Sequence, residues 1–88
     1  MKISYYKPKS FLKDVAKLSQ NQKLKLKARL KLFISEPHHP ILRNHALEGK
    51  YRNYRSINIG GDLRLIYKKV SEDEILIITV GTHSQLYK

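Results

Sequence analysis

The adjacent glycines at positions 60 and 61 constrain the fold of this chain more than any other feature. Two stretches typical of β-strands flank the pair, Tyr54 to Ile59 and Leu63 to Val70, and apolar and polar residues alternate in the part of each nearest the turn. This pattern predicts two antiparallel strands joined by a tight turn. A further apolar stretch, Ile75 to Val80, lacks alternation, as expected of a strand packed on both sides. The second half of the chain is therefore predicted to form an antiparallel β-meander.

The length of the glycine turn decides which side chains share a face. A two-residue turn would mix apolar and charged side chains on one face. A three-residue loop, Gly60 to Asp62, instead places Ile57 opposite Leu65 and Ile59 opposite Leu63, which gives a clean apolar side. The opposite face is then predicted to be a polar surface formed by Tyr54, Ser56, Asn58, Arg64, Ile66 and Lys68.

The chain before the glycine turn has helical character. Ile3 to Tyr6 can form a short first strand, which ends at Pro8 because proline cannot donate to a strand ladder. Ser10 is a suitable N-cap for a first helix. The apolar residues that would form the buried stripe of this helix are Phe11, Val15 and Leu18.

The amino-acid composition predicts a second helix, although the spacing of the apolar residues does not. From Leu24 to Leu32 the apolar residues alternate with period two, which taken alone favours a strand. Lysine is depleted in strands, however, whereas Leu, Lys, Ala and Arg are good helix formers. We therefore expect a helix capped by Asn21 and ending before Pro37. Two helices followed by a meander predict one small α+β domain over residues 1–88.

Positive charge is concentrated in the first half of the chain. The formal net charge is +11, and residues 1–35 hold ten Lys or Arg against one acid, a net of +9. Such a one-sided surface indicates a polyanionic partner, and nucleic acid fits better than a membrane because no apolar stripe remains to insert. A merely soluble surface is the alternative. The absence of cysteine excludes disulfides and thiolate zinc sites, and the polar N-terminus predicts a soluble, cytoplasmic protein.

Histidines and arginines near the predicted sheet suit phosphodiester chemistry. Cleaving RNA without a metal needs a base for the 2′-hydroxyl proton, an acid for the 5′-leaving oxygen, and a cation beside the phosphorane. Histidine has an unperturbed pKa of about 6.5 and can serve as base or acid, while arginine binds phosphate oxygens bidentately. His45 precedes the predicted sheet and His83 follows its last strand, so antiparallel folding can bring both to the polar face.

Each candidate also has a purely structural interpretation. His45 can close a turn, and His83 can be an ordinary exposed residue after a buried strand. Asp62 is typical of glycine turns, and arginines on strands are more often solvated or salt-bridged than functional. A zinc site built from His45, His83 and Asp62 lacks metal-ligand spacing. His38 and His39 lie between prolines and are predicted to be solvated turn residues.

Four elements in order, at matching spacing, resemble the RelE/ParE superfamily of type II toxins, and within it the YafQ branch of mRNA interferases. The elements are His45 with Leu47 and Gly49, then Tyr54-Arg55, then Asp62 with Leu65-Ile66-Tyr67-Lys68, then Gly81-Thr82-His83 with Leu86-Tyr87. This similarity covers about half of the chain closely, and the preceding helical part agrees in architecture only.

The resemblance implies a RelE-like toxin that cuts mRNA in the ribosomal A site and needs neither a metal nor a cofactor. The implied catalytic residues are His45, Asp62, Arg64, His83 and Tyr87. Together with the charge pattern, the resemblance predicts RNA binding by Lys23, Lys25, Lys27, Lys31, Lys50, Arg52, Arg55 and Asn58. The expected partners are the ribosome, mRNA and a small acidic antitoxin that forms a hetero-oligomer with the toxin.

Two departures from the family pattern bear on activity. Asn58 stands where YafQ proteins carry another site histidine, and Leu63 stands where they carry a tryptophan. An amide cannot exchange a proton near pH 7, and leucine cannot stack on a base. Activity is therefore expected to be slower, differently selective or lost. A catalytically silent member that binds RNA or an antitoxin, and an unrelated basic RNA-binding module, remain as alternatives.

Overall fold

The computed structural model describes residues 3–87. Its helices and strands, in chain order, are β1 (Ser4–Tyr6), α1 (Lys9–Ala16), α2 (Gln20–Ser35), β2 (His45–Ala46), β3 (Arg55–Gly60), β4 (Leu63–Ser71), β5 (Glu74–Thr82) and α3 (His83–Leu86). Two short 3₁₀ turns, Pro40–Leu42 and Gly49–Tyr51, flank β2. The predicted α+β class is confirmed.

The five strands form one mixed sheet in the order β1-β5-β4-β3-β2. The meander of β3, β4 and β5 is antiparallel, as predicted. β1 adds to it in parallel along β5, with Ser4 opposite Glu74. β2 pairs antiparallel with β3 at the other edge and was not predicted, because two residues carry no readable periodicity. β5, the last strand along the chain, therefore lies inside the sheet.

The glycine hairpin follows the predicted register until its last pair. Ile57 lies opposite Leu65 as predicted, but Gly60 rather than Ile59 stands opposite Leu63, with an irregularity between Asn58 and Gly60. Such a bulge absorbs one extra residue and increases the local twist. The predicted Ile59–Leu63 pair is therefore wrong, although Ile59 remains fully buried.

The hydrophobic core lies between the sheet and the helices. Phe11 of α1 and Phe33 of α2 are almost fully buried, and the Phe33 ring packs 4.9 Å from the ring of Tyr67 on β4, measured between centroids. Complete burial of one such side chain contributes roughly 1.5–3 kcal/mol. The sheet contributes to the same cluster Ile57, Ile59, Leu63, Leu65, Ile75, Ile77 and Val80.

Both predicted helix caps are wrong, each by two residues. Pro8 occupies the N-cap position of α1 with no side-chain bond, so Ser10 lies inside the helix. Ser19, rather than Asn21, caps α2 in a capping box with Gln22. Ser19 and Gln22 satisfy one another's backbone N–H groups, which no single side chain at position 21 can do. α2 ends at Ser35, before Pro37, as predicted. Among residues 3–87, no helix is long and apolar enough to cross a membrane.

Candidate functional site

The face of the sheet opposite the core gathers three of the predicted site residues. His45 on β2 pairs with Ser56 on β3, and one full pleat further along β3, Asn58 pairs with Arg64 on β4. Directly opposed residues point to the same side of a sheet, and residues two apart on a strand share a face. His45, Asn58 and Arg64 therefore lie on one face, with Arg64 also opposite Gly81 of β5.

This face is partly covered rather than open. Ser56 and Ile66, which were predicted to lie on the polar surface, are fully buried, so that part of the prediction is wrong. Four aromatic rings form a row, with centroids 6.3 Å apart for Tyr54 and Tyr51, 5.7 Å for Tyr51 and Tyr87, and 4.6 Å for Tyr87 and His83. We call these four residues the aromatic row. It links the segment beside β2 to the C-terminal helix.

His45 is held by the main chain of the residue two positions before it. Its Nδ1 lies 2.7 Å from the carbonyl oxygen of Arg43, while the residue as a whole is exposed. Arg43 adopts a left-handed conformation, with φ 49° and ψ 45°, after the 3₁₀ turn Pro40–Leu42. A non-glycine residue in that region is uncommon and points to a local constraint.

Asn44, between Arg43 and His45, makes three side-chain hydrogen bonds. Its Nδ2 donates to the carbonyl oxygen of Pro37 at 2.9 Å. Its Oδ1 accepts from Arg55 Nε and from the Tyr67 hydroxyl, each at 2.9 Å. These bonds tie the loop that carries His45 to the end of α2 and to strands β3 and β4.

His83 is placed by the start of the short helix α3. Thr82 caps this helix in a capping box with Gln85, and the His83 backbone N–H donates to the carbonyl oxygen of Asp62 at 3.1 Å. The Asp62 contact thus uses its main chain, while its side chain is exposed. The Tyr87 N–H donates to the His83 carbonyl at 3.0 Å, and the two rings pack together. His83, Asp62 and Tyr87 therefore meet at the hairpin end of the sheet.

Arg64 and Asn58 are engaged with the hairpin itself. Arg64 Nη1 donates to the carbonyl oxygens of Gly61 at 3.0 Å and Leu63 at 3.3 Å. Asn58 Oδ1 accepts from the Gly60 N–H at 2.8 Å. Arginine has five N–H donors, so the remaining donors of the half-buried Arg64 can still bind a phosphate oxygen.

The predicted RNA-binding residues do not share one surface. Lys23 and Lys27 flank a shallow apolar groove between α1 and α2. Lys25 lies against the glycine hairpin instead. Its side chain is so close to Gly60 that a Cβ added to this glycine would be 2.9 Å from Lys25 Cδ. Two further lysines and one arginine have other positions: Lys31 is exposed on α2, Lys50 has its Nζ 5.1 Å from the Tyr51 ring centroid, and Arg52 is exposed.

Arg55 stands apart from the other predicted RNA-binding residues. It lies opposite Tyr67, a core residue, and bonds Asn44, so it is on the helix side of the sheet. His39 likewise differs from the solvated residue that was predicted, since its Nδ1 accepts from the Ile41 N–H and caps the 3₁₀ turn. Within residues 3–87, no group of three His, Cys, Asp or Glu side chains could hold a metal ion.

Sequence patterns did not indicate the roles of Arg43 and Asn44. A left-handed arginine has no sequence signature, unlike a glycine in the same conformation. Asn44 could have been suspected, since a loop asparagine often bonds nearby backbone groups, but its partners on β3 and β4 depend on the tertiary fold.

The comparisons with known proteins agree with this architecture. Residues 2–88 match the family model described as the bacterial toxin of type II toxin-antitoxin system, YafQ. The crystal structure of YafQ from E. coli strain BL21(DE3) superposes with a TM-score of 0.80 at 26% identity, covering 98% of this chain and 99% of that one. For the toxin in the E. coli DinJ-YafQ toxin-antitoxin complex, the TM-score is 0.79 at 26% identity, with both chains covered completely.

A more distant structure shares the fold alone. The YoeB/ParE toxin from Agrobacterium tumefaciens is 17% identical, with a TM-score of 0.70 over 92% of this chain and 99% of that one. Among curated proteins, none matches the sequence. The family match spans nearly the whole chain, so this protein belongs to the YafQ family of toxins from type II toxin-antitoxin systems.

Proposed function

We propose that this toxin is a metal-independent endoribonuclease that cuts mRNA in the ribosomal A site. The observation that carries the proposal is the shared sheet face of His45 and Arg64, with His83 fixed at the hairpin end of the same sheet. Adjacent strands lie about 4.8 Å apart and rise about 3.4 Å per residue, so His45 and Arg64, two strands across and two residues along, have backbones about 12 Å apart. Histidine and arginine side chains can span that gap toward a single phosphate between them.

Each residue type has a role that its chemistry supports. His45 removes the proton of the substrate 2′-hydroxyl, and His83 protonates the departing 5′-oxygen. Arg64 offsets the charge on the phosphorane with the donors that the hairpin carbonyls leave free. Tyr87 and the exposed Asp62 complete the site as residues that place the substrate beside His83. The aromatic row offers ring faces for bases to stack on.

The decisive experiment is primer extension on mRNA from translating ribosomes. Addition of the purified toxin should produce defined cuts within codons, with 5′-hydroxyl ends on the downstream fragments. The same RNA without ribosomes should remain largely intact. Binding to ribosomes without any cut would remove the nuclease assignment and leave a binding role.

That binding role is the second candidate, and one observation favours it. The position of the missing family histidine is held by Asn58, whose amide oxygen is committed to the Gly60 N–H of the hairpin. The amide at this position supports the turn and cannot exchange a proton near pH 7. A catalytically silent toxin that still occupies the ribosome or binds an antitoxin would tolerate this change.

Lysines of α2 are proposed to hold ribosomal RNA. Replacing Lys23 and Lys27 with glutamine should weaken ribosome binding and flatten the plot of log affinity against log salt, by up to about 0.7–0.9 for each phosphate that the toxin no longer neutralises. The matched control removes two charges from the far end of β4, where Lys68 and Lys69 are exposed. Equal slopes for both double variants would mean that α2 is not the docking surface.

An acidic antitoxin is the proposed protein partner, in a hetero-oligomer within the cytoplasm. The related E. coli toxin has been crystallised in a complex with DinJ. A net charge of +11 favours an acidic partner on electrostatic grounds. Expression of the toxin alone should arrest growth, and co-expression with an acidic protein from a neighbouring reading frame should restore growth. Growth unaffected by folded toxin in several hosts would favour the silent candidate.

A further inference from the structure

We propose that the main chain of Arg43 and the side chain of Asn44 are positioning elements that fix His45 in its Nδ1–H tautomer. His45 would then gain and lose protons only at Nε2. The inference deepens the proposed function, because it names the atom through which His45 acts as a base. The tautomer is a property of the free protein and can be measured without any activity.

The hydrogen bond at Nδ1 determines which ring nitrogen carries the proton. A carbonyl oxygen only accepts, so the 2.7 Å contact between His45 Nδ1 and the Arg43 oxygen requires a proton on Nδ1. This requirement holds for the neutral ring and for the imidazolium alike. The lone pair of the neutral ring is therefore on Nε2, the nitrogen that the Arg43 carbonyl does not occupy. In histidine sites, the partner of one ring nitrogen sets the state of the other.

The Arg43 carbonyl is aimed at His45 by an unusual backbone conformation. With φ 49° and ψ 45°, Arg43 is left-handed, which costs a non-glycine residue roughly 1–2 kcal/mol. Such strain persists where the surroundings impose it, and it is concentrated at functional sites. Here the 3₁₀ turn imposes it from one side, since the Arg43 N–H donates to the Pro40 oxygen at 3.2 Å and His39 caps the same turn.

Asn44 imposes the conformation from the other side. Its three side-chain bonds, to Pro37, Arg55 and Tyr67, fix the residue directly after Arg43 to the core side of the sheet. Tyr67 is almost fully buried, so this anchor cannot shift without disturbing the core. The peptide carbonyl of Arg43 is therefore held from both sides, which opposes its rotation away from the His45 ring.

The arrangement matters because an unconstrained imidazole side chain in water prefers the other tautomer, with its proton on Nε2. A base for the 2′-hydroxyl needs a lone pair at the ring nitrogen that reaches the substrate. By retaining the proton on Nδ1, the Arg43 carbonyl keeps the exposed Nε2 ready to accept one. Arg43 and Asn44 would act through His45 without touching the substrate.

The test measures the tautomer directly, by ¹⁵N chemical shifts of the His45 ring nitrogens in the free toxin at alkaline pH, where the ring is neutral. Wild type should show the Nδ1–H signature. Two variants of Arg43 provide a matched pair, since both lose the same charge. Arg43→Asn should keep this signature, because asparagine tolerates the left-handed region. In Arg43→Val the tautomer should shift toward Nε2–H, because a β-branched residue disfavours the left-handed region.

Cleavage by the two variants gives the second readout. Arg43→Val should cut translated mRNA about 10–100-fold more slowly than Arg43→Asn, by analogy with metal-bound histidines that lose the group holding their second ring nitrogen. The two cleavage rates are compared at a temperature at which circular dichroism shows that both variants are folded.

The outcomes separate this inference from the proposed function. An Nε2–H signature in wild type, which needs no variant to fold, would overturn the inference and leave the nuclease proposal intact. Equal tautomer ratios in Arg43→Val and Arg43→Asn would also overturn it. An Nδ1–H signature that responds to Arg43→Val, in a toxin that cuts no RNA, would uphold the inference while the proposed function fails.

Discussion

The two histidines of the candidate site are held in different ways. His45 is bonded to a main-chain carbonyl in a loop that Asn44 anchors to two strands. His83 begins a four-residue helix, and its ring packs 4.6 Å from that of Tyr87. One side chain is therefore oriented by a directional hydrogen bond, and the other by ring packing at the end of the chain. We expect the His45 side of the site to be rigid and the His83 side to be adaptable.

The largest expected effect comes from removing either ring. His45→Ala and His83→Ala should each reduce cleavage by roughly 10²–10⁴-fold while ribosome binding and folding stay nearly intact. The control is His38→Ala, which removes an exposed imidazole from the loop before β2. All rates are measured by primer extension on translating ribosomes. Cleavage that survives loss of both rings would move the chemistry to Arg64, Asp62 and the lysines.

The variant Asn44→Ala tests the His45 side of the site, which we expect to be rigid. It removes three hydrogen bonds and leaves Arg55 and Tyr67 without their partner, which should cost about 2–4 kcal/mol of unfolding free energy. For a domain of this size, each kcal/mol lowers the melting temperature by about 4–8 °C. Tyr67→Phe removes only one of these bonds and should cost about 1 kcal/mol. Equal melting temperatures for the two variants would show that Asn44 is not an anchor.

Variants of Tyr87 test the His83 side of the site, which we expect to be adaptable. Tyr87→Ala removes the ring contacts with His83 and Tyr51, each worth about 0.5–1.5 kcal/mol beyond burial, and should slow cleavage by roughly tenfold. Tyr87→Phe keeps both contacts and should lose less. If the phenylalanine variant is as slow as the alanine variant, the hydroxyl is the functional group, and ring packing does not explain the position of His83.

The smallest effect is expected from Asn58→His. Asn58 Oδ1 accepts a hydrogen bond from the backbone N–H of Gly60, two residues later in the chain. His39 shows that a histidine can make the same kind of bond, because its Nδ1 accepts from the backbone N–H of Ile41. Histidine at position 58 can therefore support the hairpin through Nδ1 and present an Nε2–H group beside Arg64. The single-turnover rate should rise by less than about tenfold, well below the roughly 10²-fold of a fully positioned acid or base, or its pH optimum should shift. A slower variant with an unchanged pH profile would exclude a proton-transfer role for this position.

Local signals explain which parts of the fold were predictable. The alternating stretches around Gly60 and Gly61 specify a hairpin, so the antiparallel meander was predicted correctly. The helix α2 was predicted correctly from its amino-acid composition, although its apolar residues alternate with period two, because lysine is depleted in strands. The parallel pairing of β1 with β5 joins residues 70 positions apart, from Ser4 to Glu74, and no local pattern encodes such a contact. The α2 cap was mispredicted because a capping box needs two residues to be read together, and the α1 cap because that helix begins after Pro8 with no side-chain cap.

The shared face of two candidate site residues was predictable, whereas the hydrogen bonds that hold His45 were not. The hairpin register placed Asn58 and Arg64 on one face, as the structure shows. The carbonyl of Arg43 could not be foreseen, since its position depends on a backbone conformation that sequence does not indicate. Burial of Ser56 and Ile66 was missed because the alternation of a strand separates its two faces but does not show what packs over either face. The assignment of roles to the site residues remains a prediction.

The place of β5 inside the sheet has a consequence for the synthesis of the toxin. Among the five described strands β5 is translated after the other four, yet both β1 and β4 pair with it. Closing a contact across about 70 residues is slow compared with forming a local hairpin, so the sheet forms late. A product truncated before Glu74 would lack the strand that joins the N-terminus to the hairpin, as well as His83. Incomplete chains that end before Glu74 should therefore be harmless, and toxicity should begin only once β5 and His83 have been translated.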